Sequence, residues 1–156
     1  MNYEDLLTEA AASDITVVEK ANFKSQSHGL ICGDVIGLNK NIQTNTERAC
    51  ILAEELGHFY TSTGDIIDQE CTSNRKQEHR ARMWAYEKLL PLQLFVLAFK
   101  HGCHGIHETA EFLEVSEDFL IECVRTYHSK YGPFLELNGY LFMFSETGLN
   151  ISKAIL

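Results

Sequence analysis

Glu54, Glu55 and His58 fall within the run Ile51-Leu52-Ala53-Glu54-Glu55-Leu56-Gly57-His58, and a further acid, Glu78, follows after a short interval. On a helix, residues four apart lie one above the other, so Glu54 and His58 share a face and Glu55 lies at its margin. Two potential metal donors and a third carboxylate therefore cluster. The same residue types also occur as solvated acids on helix surfaces. Ile51 beside them, Gly57 in mid-helix and the later Glu78 set this run apart from that commoner case.

The element that carries them is a helix from about Thr46 to Thr61. Thr44-Asn45-Thr46-Glu47 reads as a capping box at its start, with a hydroxyl and a carboxylate to satisfy backbone donors. Ala49, Leu52, Ala53, Leu56, Phe59 and Tyr60 form its core-facing stripe, about 120° wide at 100° per residue. Gly57 costs close to 1 kcal/mol relative to Ala in a helix interior, which implies close approach by another backbone. A second helix, Asn74 to Leu90, reaches Pro91, which either ends it or opens the next one, and sets Glu78 on one stripe with Ala81, Ala85 and Leu89. Small residues there let it pack tightly on a neighbour, and Glu78 points inward.

The rest of the chain alternates short elements. Tyr3 to Ala11 reads as a helix, and Ile15 to Val18, Gly29 to Cys32 and Val35 to Leu38 as strands, with Gly33-Asp34 as a hairpin turn. Leu92 to Phe99 is a further helix. Ile106 to Val115 and Ser116 to Tyr131 have a helix-turn-helix outline, within a subregion spanning about 105–131. Asn138-Gly139 between Phe134 to Leu137 and Tyr140 to Phe144 is the strongest hairpin signal. The expectation is one α+β domain over 1–156, a small antiparallel sheet packed on a helical body that holds the site.

Composition narrows the function classes. Thirteen Lys and Arg against 22 Asp and Glu give a net charge of −9, which repels phosphate backbones and anionic lipids. Glu108, Glu111, Glu114, Glu117, Asp118 and Glu122 make the helix-turn-helix outline too acidic to read DNA directly. Arg75, Lys76, Arg80 and Arg82 form the one basic cluster, read as a solvated helix face. No apolar run is long enough to span a bilayer and the first residues lack a signal-peptide pattern, so a cytoplasmic protein is expected. Five scattered cysteines without a C-x-x-C pair suggest neither disulfides nor a zinc knuckle and read as small buried hydrophobes. His101-Gly102-Cys103-His104-Gly105-Ile106-His107 has ligand chemistry without ligand spacing.

The run Ile51 to Thr61, followed by Gln77-Glu78, Arg80-Ala81-Arg82 and Trp84-Ala85-Tyr86, resembles the ImmA/IrrE family of metallopeptidases. The resemblance extends from the first strand through Ala110-Glu111-Phe112-Leu113-Glu114-Val115-Ser116-Glu117. It implies a gluzincin-like core, with His58 and Glu78 as metal ligands and Glu55 as general base. That family has histidine where this chain has Glu54, so E-E-x-x-H replaces H-E-x-x-H, with Glu54 as the remaining ligand. Zinc is the implied metal. Two carboxylates and one imidazole make a harder site that weakens the preference for zinc over manganese or another divalent cation. The implied activity is endoproteolysis of a partner repressor of a prophage or mobile element. The alternative is an inactive member that regulates the repressor by binding it. The sequence leaves the oligomeric state open.

Overall fold

The computed structural model describes residues 1–62 and 75–155. It divides into two compact units, Met1–Leu89 and Leu90–Leu156. Asn74, the expected start of the second helix, and Cys71 lie outside the described residues.

The first unit opens with α1 (Tyr3–Ala12), whose Asn2 side chain and Asp5 carboxylate form a complete capping box. Three strands follow, β1 (Thr16–Ala21), β2 (Gly29–Cys32) and β3 (Val35–Asn39), then α2 (Asn45–Thr61) and α3 (Arg75–Leu89). Tyr3 on α1 donates to Glu19 on β1 at 2.9 Å. The Thr44 hydroxyl caps α2 by accepting from the Glu47 amide, as expected, but the Glu47 carboxylate accepts from the Gln43 amide instead of returning to Thr44.

The α+β class holds, but the first sheet is mixed where an antiparallel one was expected. The first sheet runs β1-β3-β2, β3 pairing antiparallel with β2 and parallel with β1. Ile36 and Leu38 explain why β3 is central: both are fully buried, and the most deeply buried strand gains most from a neighbour on each side. Two chain reversals before β3 then leave it parallel to β1. The Gly33-Asp34 turn forms as expected, Gly33 taking φ 62°.

Helix α2 is the centre of this unit, meeting α1, α3, β2 and β3. Its buried residues are Ala49, Cys50, Leu52, Ala53, Leu56 and Gly57, whereas Phe59 and Tyr60 of the expected core stripe are half-buried. Tyr60 stacks on Trp84 with centroids 5.1 Å apart and shares a 2.5 Å hydrogen bond with Ser13. Lys88 lies over Trp84 and pairs with Glu9 at 2.7 Å. That chain of contacts fixes α1 to both α2 and α3.

The second unit contains α4 (Leu92–His101), α5 (Gly105–Leu113), α6 (Glu117–Tyr131) and a second sheet. Its antiparallel strands are β4 (Phe134–Leu137), β5 (Tyr140–Ser145) and β6 (Gly148–Lys153), in order β4-β5-β6. Asn138 and Gly139 both take positive φ, 50° and 81°, as a two-residue hairpin turn of this type demands. The C-terminal hairpin thus belongs to its own three-stranded sheet. Its core joins Phe142, Phe144, Leu120, Cys123 and Tyr127, the last donating to the Leu90 carbonyl at 2.8 Å.

Among the cysteines, Cys50 and Cys123 are buried as expected, while Cys32 is exposed and Cys103 half-buried. Burial pushes the Cys123 thiol pKa well above its ordinary value.

Gly57 is where α2 and α3 come closest, since a Cβ there would run into the backbone carbonyl of Ala81. Ala81 and Ala85 are themselves fully buried. For Gly57→Ala, a helix-propensity gain of about 1 kcal/mol is opposed by overpacking against backbone, worth about 1–3 kcal/mol or more because a carbonyl in a helix cannot rotate away. Overpacking wins. Gly57→Ala is expected to lower unfolding free energy by about 1–2 kcal/mol, measured by urea titration against the wild type.

Candidate functional site

All four acid and imidazole groups singled out by spacing stand on α2 and α3, inside the first unit. Glu54, Glu55 and His58 come from α2 and Glu78 from the first turn of α3. Each is half-buried. His58 Nε2 lies 3.5 Å from Glu78 Oε2, with the side chains 19% and 37% exposed. Glu78 therefore reaches the interface between the helices as its stripe requires, though it keeps an open side to water.

The carboxylates perturb one another. Burial raises the Glu54 pKa above its ordinary value, Arg82 draws it back down, and the Glu78 charge raises it further. Glu55 is pushed up to about 7, first by burial and then by the charges of Glu54 and Glu78. Two half-buried acids, Glu54 and Glu55, with like charges nearby make a place that favours protons or a cation.

Two further residues stand beside the site that the E-E-x-x-H run does not itself name. Gly29, the first residue of β2, lies against α2 so closely that a Cβ would come within 2.8 Å of Glu55 Oε1 and 2.6 Å of Ile51 Cγ2. Its signal is the glycine itself, which in a strand marks close approach by another group. Arg82 follows Glu78 by one helical turn, the i,i+4 relation that places both on one side of α3. Its signal is that spacing.

Imidazole and carboxylate donors suit a divalent transition metal, and His58 and Glu78 already stand together on facing helices. Among the described residues, however, no three His, Cys, Asp or Glu side chains converge as a ligand set. The donor chemistry fits a cation and two of the three donors are together. Glu54 shares their face of α2 without closing the set. His101, His104 and His107 remain apart from this site in sequence and unit, and His107 pairs with Glu117 at 2.7 Å.

A small sheet against a helix that bears E-E-x-x-H, with a glutamate from the next helix facing its histidine, has the layout of a metallopeptidase. The chain belongs to the IrrE N-terminal-like domain family of peptidases, which it matches over residues 1–123. No curated protein matches it, and no solved structure does. The family match takes in the whole first unit and ends within α6, so β4, β5 and β6 lie beyond it.

The raised Glu55 pKa has a consequence for stability. Below the ordinary value of 4.5 the group holds its proton whether folded or not, and its contribution to stability is fully present. As pH rises through about 7 the folded protein must carry a desolvated charge, and that stability is lost. In metal-free protein, Glu55→Gln should therefore be more stable than wild type near pH 8, by up to about 3 kcal/mol, and equal to it near pH 4. Melting temperatures across that range, in the presence of a chelator, measure the difference.

Proposed function

We propose that this protein is a cytoplasmic metal-dependent endopeptidase whose substrate is a partner repressor of a prophage or mobile element. The observation that carries the reading is the convergence of His58 and Glu78 across the α2–α3 interface, with Glu54 and Glu55 held half-buried beside them. His58, Glu78 and Glu54 would hold the cation, zinc or a harder ion such as manganese. When bound, such a cation polarises a carbonyl and acidifies water.

The chain's own residues supply the rest. Glu55, whose carboxyl is held close to neutrality when no cation is present, is suited to take a proton from water and return it to the leaving amine. Strand β2 is an edge of its sheet, and its backbone passes Glu55 at Gly29. An extended peptide pairing with that edge would bring its carbonyls past the base, main-chain hydrogen bonds giving affinity without sequence preference. No helix among the described residues is long and apolar enough to cross a membrane, in keeping with a substrate met in solution.

A second reading is favoured by Glu54 itself. Arg82 stabilises the Glu54 charge at the position where the resembled family has histidine, so a fixed cation partly does what a metal would do. On that reading the protein binds the repressor and does not cut it. In either case the partner is protein and not DNA, because α5, α6 and the turn between them expose Glu108, Glu111, Glu114, Glu117, Asp118 and Glu122.

Two measurements separate these readings. Glu55→Gln should lower repressor cleavage by about 10²–10⁴ while leaving the fold intact; cleavage at the wild-type rate would remove Glu55 from the mechanism, and no cleavage by wild type with any metal would favour the binding protein. Glu54→His should tighten zinc, and Glu54→Ala should weaken it and lower the metal-dependent part of the melting temperature. Zinc titration calorimetry on wild type and both variants decides. Equal affinity in all three would exclude Glu54 as a ligand.

A further inference from the structure

The outer face of α3 carries a charge pattern of which only Arg82 bears on the site already described. Arg75, Lys76, His79, Arg80 and Arg82 are all exposed. At 100° per residue they fall within one arc about 160° wide, opposite the buried Ala81. Arg75, Lys76, Arg80 and Arg82 are four of the chain's 13 Lys and Arg, and Glu78 is the single acid among residues 75–82. In a chain of net charge −9, so local a cationic field attracts anions that the remaining surface repels.

We propose that this face of α3 docks an acidic segment of the protein substrate and thereby selects which chains reach the site. The inference rests on the peptidase reading, since it names what that site would recognise. The face extends about 10 Å along the helix from Arg75 to Arg82, which about three or four residues of extended peptide span. A nucleic acid is the poorer occupant. Its phosphates would continue past so short a face, and the chain's net charge of −9 repels them.

Position gives the docking its direction. Glu78 is on the same helix as the arginines, and Arg82 is close enough to Glu54 to favour its charged form. An acidic stretch is thus attracted to the arginines and repelled by the three carboxylates of the site. The segment that reaches the site would be uncharged or basic, with the acidic anchor to one side. Substrate selection then depends on a charge pattern along the chain more than on one residue at the cut.

The test uses the full-length protein and fluorescein-labelled peptides read by fluorescence anisotropy. One peptide carries consecutive glutamates, a second has glutamine at those positions, and a labelled single-stranded oligonucleotide of similar length is the third probe. The glutamate peptide should bind at about 0.1 M salt and release at about 1 M, and the glutamine peptide should not bind. Arg75→Glu with Arg80→Glu should weaken binding about tenfold or more, and the matching double lysine variant should retain it. Equal binding by the charge-reversed protein, tighter binding of the oligonucleotide, or a fall in melting temperature with peptide binding unchanged would each overturn the proposal. Binding is read without cleavage. Repressor cleavage without peptide binding therefore defeats the docking face alone, and binding without cleavage defeats the peptidase alone.

Discussion

The approach of α2 to α3 at Gly57 and Ala81 is the constraint on which the candidate site depends. A side chain at Gly57 would meet a backbone carbonyl, so the absence of one sets how near the two helices can lie. At that separation His58 on one helix comes within 3.5 Å of Glu78 on the other. Ala81 and Ala85 extend the same close contact along α3. Widening it by a methyl group or more would move the two donors apart.

The site also opposes the stability of the unit that contains it. Burial and mutual repulsion raise the Glu54 and Glu55 pKa values, so each ionised carboxylate disfavours the folded state. Tight packing around α2 offsets this, with Leu52, Ala53 and Leu56 fully buried. The stack from Ser13 through Tyr60 and Trp84 to Lys88 adds to it on the α1 side. Acids kept at such a cost are a mark of function more than of structure.

Much of this was legible in the sequence, and the divisions are physical. The helices were readable because apolar period, caps and Pro or Gly stops agree along each segment. Gly57 announced close approach, although the partner, the Ala81 carbonyl, is a contact between helices that no local pattern names. Strand order was not readable, because alternation shows which face is buried and not which neighbour lies beside it; β3 became central through Ile36 and Leu38. Strand β6 escaped notice because Gly148, Asn150, Ser152 and Lys153 have low strand propensity, and it is held by pairing with β5. Gly29 and Arg82 became site neighbours through packing between segments distant in sequence.

Trp84 is the only tryptophan in the chain, and it lies in the first unit, stacked on Tyr60 and beneath Lys88. Its intrinsic fluorescence consequently reports one half of the protein. The second unit has tyrosines but no indole, so melting it separately would leave the tryptophan emission wavelength nearly unchanged. The protein carries, in one residue, an optical label for the assembly of the helices that hold its acids and histidine.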